Sequence, residues 1–373
     1  MLTMVAGTAP VAFAGNGAAP AHVQTLGAVR ALYDVGVPAA PAGAAAVTGG
    51  LKTWSKTVSD GVSFTYRMVG KDPTIVESLP STTVKVAMVP LIIKFPDLKT
   101  WDPTVGDSCD TTSAVTRTMN SPMVKSSAWT FGGTSVGTGQ YSDAFQRANF
   151  YTQTKPTGIN PAYHVKLAYT LRPAVTINVP SADAAEFTIG CGNGRLGAVE
   201  INWLDSYIKT NLLPPLKTAG FGNKTLPLFL LGNVVEYIGT ATNCCVLGYH
   251  STTSTATSGQ TYSVSMYDNS GAFAGSSDVS VLSHEIAEWL DDPFTNNPTK
   301  PWGHIGQVTG CQSNLEDGDP LSGTTTTVTM NGKAYHLQEL AFVSWFYHQV
   351  PSSGVNGWYS NLGKFTSAAA ACV

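Results

Sequence analysis

The chain has 373 residues, a net charge of −3 and only 12% charged side chains. It carries no run of lysine and arginine, which argues against nucleic acid or an anionic membrane as partner. Its length permits a large core, in one domain or two lobes, and a surface so poor in charge and rich in Ser and Thr fits a secreted or periplasmic protein better than a cytosolic one.

Residues 1–14 are uncharged and moderately apolar and end in Ala12-Phe13-Ala14, a small-x-small cleavage pattern with no basic stretch before it. Residues 15–50 are Ala/Gly/Pro-rich without apolar periodicity, so 1–50 are expected to be a leader and linker. Residues 51–195 read as a β-rich N-terminal part. Val62, Phe64, Tyr66 and Met68 alternate with polar residues at the period of a strand. The β-branched run 82–95 predicts another, with Pro90 marking an edge or bulge. Short helices are expected at 114–120 and 141–149, a loop at 129–139, and a half-buried strand at 164–171 in which His164 is a strand residue and not a ligand.

Residues 196–373 read differently. Val199, Ile201, Leu204, Ile208 and Leu212 predict a helix over 197–218. Residues 226–238 and 244–249 read as buried strands, the Ser/Thr run 251–258 as a loop, and 262–267 as a strand. No apolar stretch is long and uninterrupted enough to cross a bilayer, so no integral membrane segment is expected.

Then comes Ser283-His284-Glu285-Ile286-Ala287-Glu288-Trp289-Leu290. Wound as a helix, it places Val279, Leu282, Ile286, Trp289 and Leu290 on one stripe and His284 and Glu288, four apart, on the opposite face beside Glu285. Ser276, Ser277 and Asp278 are candidate N-caps, and Pro293 stops the helix. An imidazole and two carboxylates on one face are the donor types of a metal site. In a chain with eight Glu and seven His, that clustering stands out against a solvated helix face, which here would more naturally be Ser and Thr. After Pro293 an irregular segment leads to Glu316-Asp317-Gly318-Asp319, which does not fit EF-hand spacing. A hairpin is expected to turn at Asn331-Gly332, and a helix to close the chain over 337–349.

The six cysteines, at 109, 191, 244, 245, 311 and 372, form an even set without zinc-ribbon spacing. Three disulfides in an oxidising compartment are the simplest account. A bridge between neighbours is strained, so Cys244 and Cys245 are expected to reach two different partners.

The string His284-Glu285-x-x-Glu288 resembles the active-site helix of gluzincin-type zinc peptidases, with Glu in place of the usual second His. With Pro293 and the Cys/Glu/Asp segment that follows, it is similar to the secreted Exordium-like (phosphate-induced) proteins; the resemblance covers about residues 279–320. It implies an α+β fold whose catalytic half is zincin-like, a mixed sheet plus the active-site helix. It also implies a divalent cation, zinc first, on His284, Glu288 and a third ligand, Glu316 ahead of His304, Asp319 and His336. Glu285 would be the general base, with His336 or Tyr335 at the oxyanion. The expected activity is a metal-dependent hydrolase, most simply a peptidase, acting on a peptide or cell-surface polymer. The alternative is a non-catalytic extracellular binding protein for cell wall or carbohydrate on the same fold, served by Trp345, Trp358 and Tyr359.

Overall fold

The computed structural model describes residues 50–96, 99–188 and 195–372, together with the strand Val23–Thr25. The rest of the expected leader, and Cys191, lie outside the described residues. The fold is mixed α+β, rich in strands and sparing in helices.

Its centre is a seven-stranded mixed sheet made of β1 (Thr82–Lys94), β2 (Thr100–Trp101), β3 (Val165–Leu171), β4 (Val175–Asn178), β5 (Leu226–Gly232), β6 (Gly248–Thr252) and β7 (Thr261–Tyr267). The order runs β6-β7-β5-β1, so strands from both sides of residue 195 share one sheet. β1, β5 and β7 are parallel, and β6 is antiparallel to β7. Pro90 is neither at an edge nor in a bulge. β3 pairs with residues 82–88 and β4 with residues 91–94 of β1, so Pro90 falls where one partner hands over to the next. The N–H it lacks removes nothing from that side of the ladder.

Period-two alternation buries the sheet on both faces. Val84, Val86, Met88, Leu228 and Leu230 pack into one core with α1 (Tyr141–Asn149) and α3 (Ser280–Asp291). Ala87, Val89, Leu91, Phe229, Tyr249 and Tyr262 pack into a second core on the other side, against Ile201, Leu204 and Ile208. The first two of these lie on α2 (Ile201–Tyr207), which starts later than expected because Arg195–Glu200 is a strand. A second sheet of five strands flanks the first, and Val23–Thr25 runs parallel to Ala184–Thr188 there.

Four separate two-stranded sheets complete the described residues. The segment read as a loop at 129–139 belongs to one of them, Ser127–Phe131 with Thr134–Gly139, turning on Gly132 and Gly133, both at positive φ. The segment after Pro293 is also ordered, as β8 (Pro298–Ile305) and β9 (Val308–Asn314). β10 (Thr325–Met330) and β11 (Lys333–Gln338) turn at Asn331-Gly332 as expected, with φ of 52° and 72°. The closing helix is short, Val343–Phe346, because β11 takes the residues before it.

Cys311 is bonded to Cys372, which ties the end of the chain to β9. Cys109 is disulfide-bonded as well. Cys244 and Cys245 do not reach separate partners; they are bonded to one another across a cis peptide. No helix among the described residues is long and apolar enough to cross a membrane.

Candidate metal centre

α3 carries the His–Glu string, and its placement begins with two glycines. A Cβ at Gly248 of β6 would stand 2.8 Å from Val281 Cγ1 and 3.0 Å from Glu285 Cγ, so its absence lets the helix lie close on β6 and β7. A Cβ at Gly318 would stand 2.3 Å from His284 Nδ1, so that glycine lets the loop after β9 lie against the imidazole. The apolar stripe of Val279, Leu282, Ile286, Trp289 and Leu290 enters the first core as expected. The opposite face is not solvated. Every residue from Ser280 to Asp291 is buried, and His284, Glu285 and Glu288 are each 0% exposed.

The imidazole of His284 is oriented from behind. Gln338 Nε2 donates to the Gly318 carbonyl at 2.6 Å, which turns Gln338 Oε1 toward His284 Nδ1 at 3.1 Å. Nδ1–H therefore donates to Gln338, and the lone pair resides on Nε2. That atom lies 2.9 Å from Glu288 Oε1 and 3.6 Å from Asp319 Oδ1. Glu288 Oε1 also accepts from the Gly318 N–H at 3.0 Å. An imidazole lone pair set against two carboxylates needs either a proton on one carboxyl or a cation among them, and the three donor atoms lie within 4.8 Å of one another, a span one divalent ion can bridge. The residues fit a cation. The outward hydrogen bond of His284 to Gln338 is the support that metal-ligating histidines usually have.

Burial sets the electrostatics of the cation-free cluster. It lowers His284 to about 4, with Asp319 opposing, and raises Glu288 to about 8, with the Gly318 and Asp319 N–H groups opposing. The helix continues into two more buried carboxyls, Asp291 and Asp292, raised by burial to about 6 and about 7. Asp291 accepts from Gln146 and from Asn149 on α1, while Asp292 accepts from the Asn296 and Asn297 N–H groups.

The carboxylate that meets His284 and Glu288 is Asp319, whereas Glu316 belongs to neither buried ligand set and accepts from Asn314 Nδ2 at 2.5 Å. His336 lies on β11, where its Nδ1 faces Asp278 Oδ2 at 2.6 Å. His304 is exposed beside Cys311 and Cys372, whose sulfurs are already bridged and offer no thiolate. Trp345 and Tyr359 are core residues.

One buried histidine escaped the reading of the sequence. His250 lies on β6 at the boundary between an expected strand and an expected loop, and it faces Glu285 and Glu288. The available signal was the alternation Gly248-x-His250-x-Thr252, which continues the strand by two residues and turns His250 away from the Tyr249 face.

A cavity of about 80 Å³ lined by Asp107, Asn233 and Asn269, and a cleft of about 360 Å³ lined by Gln140, Asp143 and Lys166, both lie apart from these residues. No protein-family model matches the chain, and no curated protein or solved structure matches it.

Proposed function

We propose that the protein is a secreted or periplasmic metal-dependent hydrolase of the peptidase kind, with a zincin-like catalytic half. The observation that carries this reading is the meeting of His284 Nε2 with Glu288 Oε1 and Asp319 Oδ1, on a helix whose next residue is Glu285. The disulfides support an oxidising compartment.

A zinc or similar divalent ion on this set would polarise the scissile carbonyl and acidify a water. Glu285 would take the proton from the attacking water on a carboxylate oxygen and return it to the leaving amine. Gln338 would hold His284 in the tautomer that leaves Nε2 open, and the Gly318 N–H would hold Glu288 in place. Two carboxylates and one imidazole make a more anionic set than His/His/Glu, which weakens the acidification of water and moves the working range to higher pH.

The burial of His284, Glu285 and Glu288 favours a second reading, in which the cation is structural and the protein a non-catalytic binder of cell wall or carbohydrate. Metal analysis by plasma mass spectrometry on wild type, Asp319→Ala and Glu285→Gln, run beside a peptidase screen, decides between them. The hydrolase reading expects bound metal in wild type, loss of affinity in Asp319→Ala, and a Glu285→Gln protein that keeps a cation and loses hydrolysis. Wild type that holds metal but cleaves nothing would favour the binder. Folded wild type without metal would remove the cation site altogether.

A further inference from the structure

We propose that His250, Glu285 Oε2 and the second oxygen of Glu288 form another cation position, so that Glu288 bridges two ions and only Oε1 of Glu285 is left to act as a base. This rests on the reading of His284, Glu288 and Asp319 as the first position. His250 is 0% exposed, and its Nε2 lies 3.1 Å from the Asp292 carbonyl. A carbonyl can only accept, so Nε2 carries the hydrogen and Nδ1 carries the lone pair. Nδ1 has no hydrogen-bond partner and points between two carboxylates, 3.8 Å from Glu285 Oε2 and 3.7 Å from Glu288 Oε2. Those separations are too long for hydrogen bonds. They suit ligands that share one ion, since donors about 2.0–2.2 Å from a metal stand roughly 3–4 Å apart.

The two positions have the same construction. Each histidine gives its outer N–H to an oxygen, Gln338 Oε1 for His284 and the Asp292 carbonyl for His250, and each turns its lone pair toward Glu288. The carboxylate divides accordingly. Oε1 faces His284, while Oε2 faces His250 and has no hydrogen-bond partner.

The sheet supplies further donors on the same side. His250 is opposite Ser263 and Gly248 is opposite Ser265 in the β6–β7 register, which puts both hydroxyls on the face toward α3. Both serine oxygens are buried without hydrogen-bond partners. Three carboxylates, Glu285, Glu288 and Asp319, against two divalent ions also come close to charge balance. The mixed nitrogen and oxygen donors suit zinc or manganese.

The test is zinc chloride titrated into chelator-stripped protein, with zinc counted by plasma mass spectrometry after gel filtration. Wild type should take two ions per chain and His250→Ala one. Wild type that takes one ion, retained unchanged in His250→Ala, overturns the second position and leaves the first standing. Wild type that takes none removes both. If His250→Ala fails to fold, anomalous diffraction at the zinc edge from loaded wild-type crystals answers the question. Two peaks astride Glu288 support the proposal, and a single peak beside His284 overturns it.

Discussion

At the scale of single residues, the glycine at 318 shows how the centre is kept in place. Its φ and ψ of −84° and −34° are open to any residue, so the glycine is there for room and not for backbone freedom. A methyl group would overlap the ring of His284, which is held from behind by Gln338 and cannot retreat without breaking that bond. Gly318→Ala should therefore cost about 1–3 kcal/mol of stability, the usual range for overpacking, and should weaken cation affinity through the displaced imidazole. Urea unfolding with and without zinc reads both; a variant as stable and as tightly loaded as wild type would show that the ring moves freely. The sequence made His284, Glu285 and Glu288 legible because three donors within one helical turn are a local pattern. It did not choose among ligands from beyond the helix, because a loop's path decides which carboxylate arrives. Glu316 and Asp319 are three residues apart in the chain, and it is Asp319 whose Oδ1 stands 3.6 Å from His284 Nε2.

At the scale of elements, Asp278 joins the start of α3 to β11. Its Oδ1 accepts from the Val279 N–H at 2.6 Å and from the His336 N–H at 2.8 Å, and its Oδ2 faces His336 Nδ1 at 2.6 Å. Asp278 also sits at φ 39°, where Asn and Asp are tolerated better than most residues. His336 thus has a carboxylate partner, and the pair anchors a hairpin to the helix that carries His284. Asp278→Ala should cost about 2–4 kcal/mol, since it removes three bonds to a charged group and strands two backbone donors. Asp278→Asn should cost much less. Equal losses in the two variants, measured by urea denaturation, would mean that the hydrogen bonds matter little. Elements with local signatures were legible: α1, α3 and the Asn331-Gly332 turn carry their periodicity or turn chemistry within a few residues. The strands at 127–139, 195–200 and 298–314 were not, because partners elsewhere in the chain or weak alternation decide whether a Gly- or Thr-rich run becomes a strand.

At the scale of the whole molecule, the buried carboxyls couple stability to pH and, on the reading proposed above, to a cation. Glu288 and Asp292 titrate near 8 and 7 in the cation-free fold because burial disfavours their charged forms, whereas in an unfolded chain they lose their protons near 4. The folded state therefore holds more protons than the unfolded state between those limits, and stability falls as pH rises toward 8. His250 and His284 work in the opposite sense, since burial lowers them to about 3 and about 4 from 6.5. Their effect is complete once pH passes the unfolded value. Between about pH 6.5 and 8 the carboxyls act alone, and chelator-treated protein should lose on the order of 1 kcal/mol of stability per pH unit. Glu288→Gln should reduce that slope to the share of Asp292, because an amide carries no titrating proton. On the reading proposed above a divalent ion would replace the proton as the partner of these carboxylates, so the stabilisation given by a fixed excess of zinc should grow over the same interval as fewer protons compete for the site. Thermal melts at pH 6.5, 7.25 and 8, with chelator and with zinc, measure the difference directly. A gap between the two curves that stays constant with pH would mean that the buried carboxyls do not exchange protons for metal, and the cation would then have to bind elsewhere on the chain.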